Sequence, residues 1–206
     1  MSNTTALRVL SVIALVSVIA LVGSACQPAG TPRSRVQACK VAVIGDSLTV
    51  GAERGGLRQV FARAGCEAFI NARVGRPTSE GAVLAENMAR VGWMPDILVV
   101  ALGTNDSDPG VFERHARRIL AAAGNRPVVW VNVYNGADPA RADRINTVIT
   151  RLQLERSKSP GGGNLWVGNH HQFASANRGL VARDGFHLTD AGYRAHAVNL
   201  VRAVVG

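Results

Sequence analysis

A serine that attacks a carbonyl needs a base to take its proton, a carboxylate to orient that base, and donors for the oxyanion that forms. Four short segments of the chain carry residues of those types. Gly45-Asp46-Ser47-Leu48 sets a serine at a turn, while Val74-Gly75-Arg76 and Gly103-Thr104-Asn105-Asp106 offer a glycine N–H and a side-chain amide. Asp184-Gly185-Phe186-His187-Leu188 places a carboxylate three residues from an imidazole. His187 is the candidate base and Asp184 the group that fixes its tautomer and stabilises the imidazolium. Singly, each has a plainer reading: Ser47 as a helix cap, Asn105-Asp106 as a turn, Asp184 and His187 as a surface pair. Together they fill complementary roles of one reaction, which favours chemistry over the separate structural readings. Asp46 and Asp106 read as turn and network residues rather than as acid–base groups.

Each segment follows an element able to hold it. Residues 40–44 form a short apolar run ending at Gly45, the pattern of a buried parallel strand. A helix is expected over 50–64, a strand over 67–71, a helix over 78–91 and the strongest strand over 96–103. A helix over 109–123 opens with proline, where a missing N–H costs nothing. A strand over 127–133, an arginine-studded helix over 139–156, a strand over 164–168 and a helix over 189–204 complete the alternation. Five strands separated by helices predict an α/β fold: a three-layer α/β/α sandwich on a five-stranded parallel sheet, with ligands beyond the strands' carboxyl ends. Trp93, Trp130 and Trp166 are expected to pack in or beside the core. His115 and His196 are expected to face solvent from their helices. His170-His171 reads as a loop pair, because no third ligand stands at metal-binding spacing.

The four segments, in order and each at a strand end or in the last loop, resemble the SGNH (GDSL) hydrolase family over about residues 40–205. The resemblance implies a flavodoxin-like SGNH hydrolase fold, Ser47 as nucleophile, and an oxyanion hole made by the N–H groups of Ser47 and Gly75 and the amide of Asn105. A G-x-S-x-G elbow is absent around Ser47, which argues against an α/β-hydrolase. Residues 71–76 and 184–189 look like the extracellular SGNH domains of bacterial peptidoglycan O-acetyltransferases, with Pro77 where those carry Gln. Arg73 and Arg76, near the oxyanion donors, are candidates for contact with an anionic substrate; the alternative is that they solvate a loop. The expected function is a serine esterase for short acyl, including acetyl, esters of a small molecule or of a carbohydrate or cell-wall polymer, with no cofactor and no metal. O-acyl transfer to a sugar, and a non-catalytic module binding acidic surface polymers, are the alternatives.

Composition bounds the setting. The chain has 206 residues, 47% hydrophobic and 18% charged, enough for one well-buried core and too apolar for disorder. Its net charge of +9 comes from 21 arginines against Lys40 and Lys158. No run of five basic residues occurs, so no nucleic-acid partner is expected. Residues 9–22 are uncharged behind Arg8, the length of a signal-peptide core and short of the ~20 residues of a spanning helix. The expected organisation is a signal peptide over 1–25, a flexible tether over 26–38 and the hydrolase domain over 39–206, exported to the cell surface or medium. Val22-Gly23-Ser24-Ala25-Cys26 resembles a bacterial lipoprotein lipobox, with Gly23 where Leu or Val is usual. The resemblance implies lipidation of Cys26 and a membrane tether; cleavage after Ala25 without lipid, or an uncleaved anchor, are the other readings. Cys39 and Cys66 each precede a strand, so neighbouring parallel strands would bring them within reach of a disulfide, the alternative being two free thiols.

Overall fold

The computed structural model describes residues 39–161 and 163–206; the expected signal peptide, tether and Cys26 lie outside them. Five strands form one parallel sheet: β1 (Cys39–Gly45), β2 (Cys66–Ala72), β3 (Ile97–Ala101), β4 (Val128–Val131) and β5 (Leu165–Gly168), in the order β2-β1-β3-β4-β5. The β-branched runs explain the strands. Both faces of β1 are buried, because alternate side chains enter different cores.

Ala42 and Ile44 join Leu98, Val100 and Trp130 against α3 (Thr78–Arg90), α4 (Pro109–Ala123) and α5 (Pro139–Lys158). There Phe112 meets Trp130 edge-to-face at 5.6 Å. Val41 and Val43 join Val99 and Val129 against α1 (Ser47–Arg54), α2 (Leu57–Arg63) and α7 (Asp190–Val205). The result is the three-layer α/β/α sandwich that the alternation of elements predicts.

The strand order places a switch point between β1 and β3, since the chain leaves β1 toward one sheet edge and β3 toward the other. Their carboxyl ends therefore open a crevice where ligands bind in such sheets. At the opposite end Cys39 and Cys66 stand directly across from each other in the β1–β2 register, with Cα atoms 4.5 Å apart, and are joined in a disulfide.

Three expectations are corrected. The helix read over 50–64 is two helices, because Gly56 takes a left-handed conformation (φ 95°) that breaks the run. Residues read as a loop after β5 include α6 (His170–Ala176). Trp166 lies on the edge strand β5 and is 44% exposed, whereas Trp130 is buried at the centre.

Candidate active site

Ser47 is the first residue of α1, and the side chain of Asp46, as N-cap, accepts from the Leu48 N–H at 2.9 Å. A strand that ends at Gly45 and a helix that starts at once leave Ser47 half-exposed at the carboxyl edge of the sheet. Its Oγ lies 2.9 Å from His187 Nε2, although 140 residues separate them in sequence. His187 Nδ1 lies 2.7 Å from Asp184 Oδ2. An ionised carboxylate only accepts, so Nδ1 carries the proton and Nε2 is free to accept from the serine hydroxyl. The Asp184 Oδ1 atom accepts from the N–H groups of Phe186 and His187 at 3.1 and 3.0 Å, which locks the turn that aims the imidazole. Partial burial pulls the Asp184 carboxyl upward, but the hydrogen bonds from His187 and from the two N–H groups hold it below the ordinary carboxylate value.

Two loops frame this row. After β2, Gly75 is exposed and has φ 69°, a conformation that L side chains rarely adopt. After β3, Asn105 donates its amide to Asp46 Oδ2 at 3.3 Å and to the Arg76 carbonyl at 3.2 Å, tying all three loops together. Asp106 accepts from the Thr78 N–H at 3.1 Å and the Thr78 hydroxyl at 2.7 Å, pinning the β3 loop to the start of α3.

Both arginines named as candidates for substrate contact are engaged within the protein. Arg76 is only 6% exposed and donates to the carbonyls of Gly45 and Asn71 and to Asn71 Oδ1, at 3.0, 2.5 and 2.8 Å. It braces the Gly75 loop against the end of β1, because three acceptors converge on the guanidinium and satisfy a charge that is turned away from solvent. Arg73 is exposed but pairs with Glu80 at 2.5 Å. His196, expected to face solvent, is 1% exposed and packs on the buried His170 with ring centroids 4.4 Å apart. Burial lowers both imidazoles, His196 to about 4. Among the described residues no group of three potential metal ligands includes them.

Asp46, expected as a turn and network residue, is the N-cap of α1 and an acceptor for Asn105. Burial pushes its carboxyl up to about 6, against the opposing pull of the Leu48 N–H, the Thr104 hydroxyl and His187. The signal available was its position, between a strand's last glycine and the serine, where a cap must fall.

The model of the GDSL-like lipase/acylhydrolase family matches residues 43–195, from β1 to α7. The chain belongs to this family. As a GDSL-family protein with these groups assembled, it is a serine ester hydrolase by class. No curated protein matches the chain by sequence. Among solved structures, a lipase/acylhydrolase from Enterococcus faecalis is 17% identical with a TM-score of 0.68, covering 82% of this chain and 96% of its own. A carbohydrate esterase family 3 protein from Talaromyces cellulolyticus is 18% identical with a TM-score of 0.64, covering 81% and 96%. The C-terminal catalytic domain of Streptococcus pneumoniae peptidoglycan O-acetyltransferase A is 19% identical with a TM-score of 0.63, covering 81% and 90%. At such identities the likeness is one of fold.

Proposed function

We propose that the protein is an exported serine esterase that removes short acyl groups, acetyl among them, from carbohydrate or cell-wall polymer esters. The observation that carries this reading is the continuous row from Ser47 Oγ through His187 to Asp184, at 2.9 and 2.7 Å. Ser47 Oγ attacks the ester carbonyl while its proton passes to His187 Nε2. The resulting oxyanion is met by the N–H groups of Ser47 and Gly75 and by the Asn105 amide. Collapse breaks the ester C–O bond, and the departing alkoxide takes the proton from His187. Water then attacks the acyl-serine, again losing a proton to His187, and releases the carboxylic acid and free Ser47.

Three observations support the substrate and setting. Ser47 is half-exposed and Gly75 and Asn105 are exposed, so an ester carried on a bulky polymer can reach them. The fold neighbours include a protein named as a carbohydrate esterase and one named as a peptidoglycan O-acetyltransferase. A disulfide between Cys39 and Cys66 suits an oxidising compartment, in keeping with a signal peptide over 1–25 and a surface tether at Cys26. Transfer to a sugar hydroxyl is the second reading, favoured by the likeness to the O-acetyltransferase domain. Both share the acyl-enzyme and differ only in the acceptor.

A serine-directed organophosphonate is expected to label wild type at Ser47 and to leave Ser47→Ala unlabelled. Wild type that resists labelling at neutral pH would return the chain to a binding role. p-Nitrophenyl acetate assayed with and without an oligosaccharide acceptor separates the two reactions: acetate as main product supports hydrolysis, acetylated sugar the transferase. A lipid-sized mass increment on Cys26 in the membrane fraction tests the tether.

A further inference from the structure

The Asp46 carboxyl is 1% exposed and forms no ion pair among the described residues. Capping the helix that starts at Ser47 does not require this charge, because serine or asparagine caps about as well. A buried carboxylate is also costly. Its second oxygen accounts for the choice. Oδ1 serves the Leu48 N–H and Oδ2 meets Asn105 Nδ2, with the Thr104 hydroxyl a further donor to the carboxyl. A carboxylate can only accept, so it compels the Asn105 side chain to present nitrogen rather than oxygen on this side. The Arg76 carbonyl, also acceptor-only, makes the same demand from the other direction. An asparagine amide otherwise reverses at little cost, and the reversed form would aim a carbonyl oxygen at an oxyanion.

We propose that Asp46 is a positioning residue: its buried carboxylate, together with the Arg76 carbonyl, fixes which end of the Asn105 amide faces the oxyanion, while it caps the helix that presents Ser47. The inference rests on Asn105 serving the oxyanion, as proposed above. Asp46→Asn isolates the effect. The new side chain keeps an oxygen for the Leu48 N–H, and its NH2 then faces Asn105 and invites the amide to reverse. The charged or titratable groups that sense the carboxyl are His187, Arg76 and Tyr193, and the substitution leaves all three unchanged.

The test is a double-mutant cycle of Asp46→Asn and Asn105→Ala, read by kcat and KM on p-nitrophenyl acetate and by Tm at pH 7.5. Asp46→Asn is expected to lower kcat by ~10²–10³, the loss of one oxyanion donor. KM should hold within about threefold and Tm should fall no lower than wild type. The double variant should be no slower than Asn105→Ala alone, because one residue acts through the other. Additive losses, or an unchanged kcat in Asp46→Asn, overturn the positioning role. An unchanged kcat in Asn105→Ala instead overturns the oxyanion reading beneath it. If Asp46→Asn does not fold, Asp46→Ser keeps a capping oxygen without the contact to Asn105, and the same cycle applies. Failure of both to fold would make Asp46 purely structural and overturn the proposal.

Discussion

Asn105 holds its two resting contacts at 3.3 and 3.2 Å, long for hydrogen bonds, so a charged oxyanion offering a shorter one competes well for the amide. Asn105→Ala is expected to lower kcat on p-nitrophenyl acetate by ~10²–10³, about 2.7–4 kcal/mol of barrier. The side chain is exposed, so Tm should move little. Steady-state kinetics with a melting curve checks both, and an undiminished kcat removes Asn105 from the site. At this scale the sequence was informative where residue type alone specifies a role: Ser47, Asp184 and His187 could be named because few other uses combine them. Arg76 could not be placed, because a guanidinium beside a glycine turn reaches solvent or backbone carbonyls equally well. Its side-chain direction depends on Gly45 and Asn71, and the two strand ends that carry them meet only in the folded sheet.

The helices α1 and α7 carry or adjoin both halves of the site, since Ser47 opens the first and His187 stands just ahead of the second. They pack closely because Gly51 faces the ring of Tyr193, where an added Cβ would overlap ring carbons. Alanine in place of a helical glycine ordinarily gains about 1 kcal/mol. Here overpacking, at roughly 1–3 kcal/mol, acts against it. Gly51→Ala is therefore expected to lower Tm and to depress kcat by displacing Ser47 from His187; a higher Tm with unchanged kcat would show that the ring moves freely aside. At the other end of the sheet, the disulfide closes a loop of 27 residues' separation. Replacing both Cys39 and Cys66 by serine should cost about 3–4 kcal/mol and lower Tm by roughly 10 °C, read by calorimetry. Strand and helix positions were largely legible, since buried parallel strands and amphipathic helices have distinct periods. The break at Gly55-Gly56 was hidden because apolar spacing continues across it, and α6 because seven residues carry too little period to read.

Across the whole molecule, pH acts on stability through buried groups of opposite sense. His196 titrates at about 4 folded and near 6.5 unfolded, so between these values only the unfolded chain takes the proton. Stability from this group is complete above about pH 6.5 and is lost as pH falls toward 4, by about 3 kcal/mol. His170, lowered by burial and by His196 and His171, acts in the same direction. Asp46, raised to about 6 from 3.8, acts oppositely: the folded state holds its proton first, so acidification relieves a penalty of similar size. Two histidines outweigh one aspartate, and the domain is expected to lose stability between pH 6.5 and 4. His196→Leu should shrink the fall in Tm across that window, and an unaltered fall would remove His196 as its source. Neither histidine was recognisable as buried from sequence: His196, a polar residue on a helix, is read as outward unless its neighbours in space are known, and His170 was read in a loop because α6 is too short to show a period.

The position of the disulfide has one more consequence. β1 enters at Cys39 and travels seven residues, about 20 Å, before reaching the turn that holds Ser47. α7 leaves the catalytic loop and runs sixteen residues back, about 24 Å, so that Ala203 and Val204 pack against the same apolar cluster as Cys39 and Ile97, which stand at the starting ends of β1 and β3. Entry and exit of the folded domain thus share one pole, and the reacting face occupies the other. A bead or a fusion partner joined at either end would therefore attach at the pole opposite the reacting face and leave that face free.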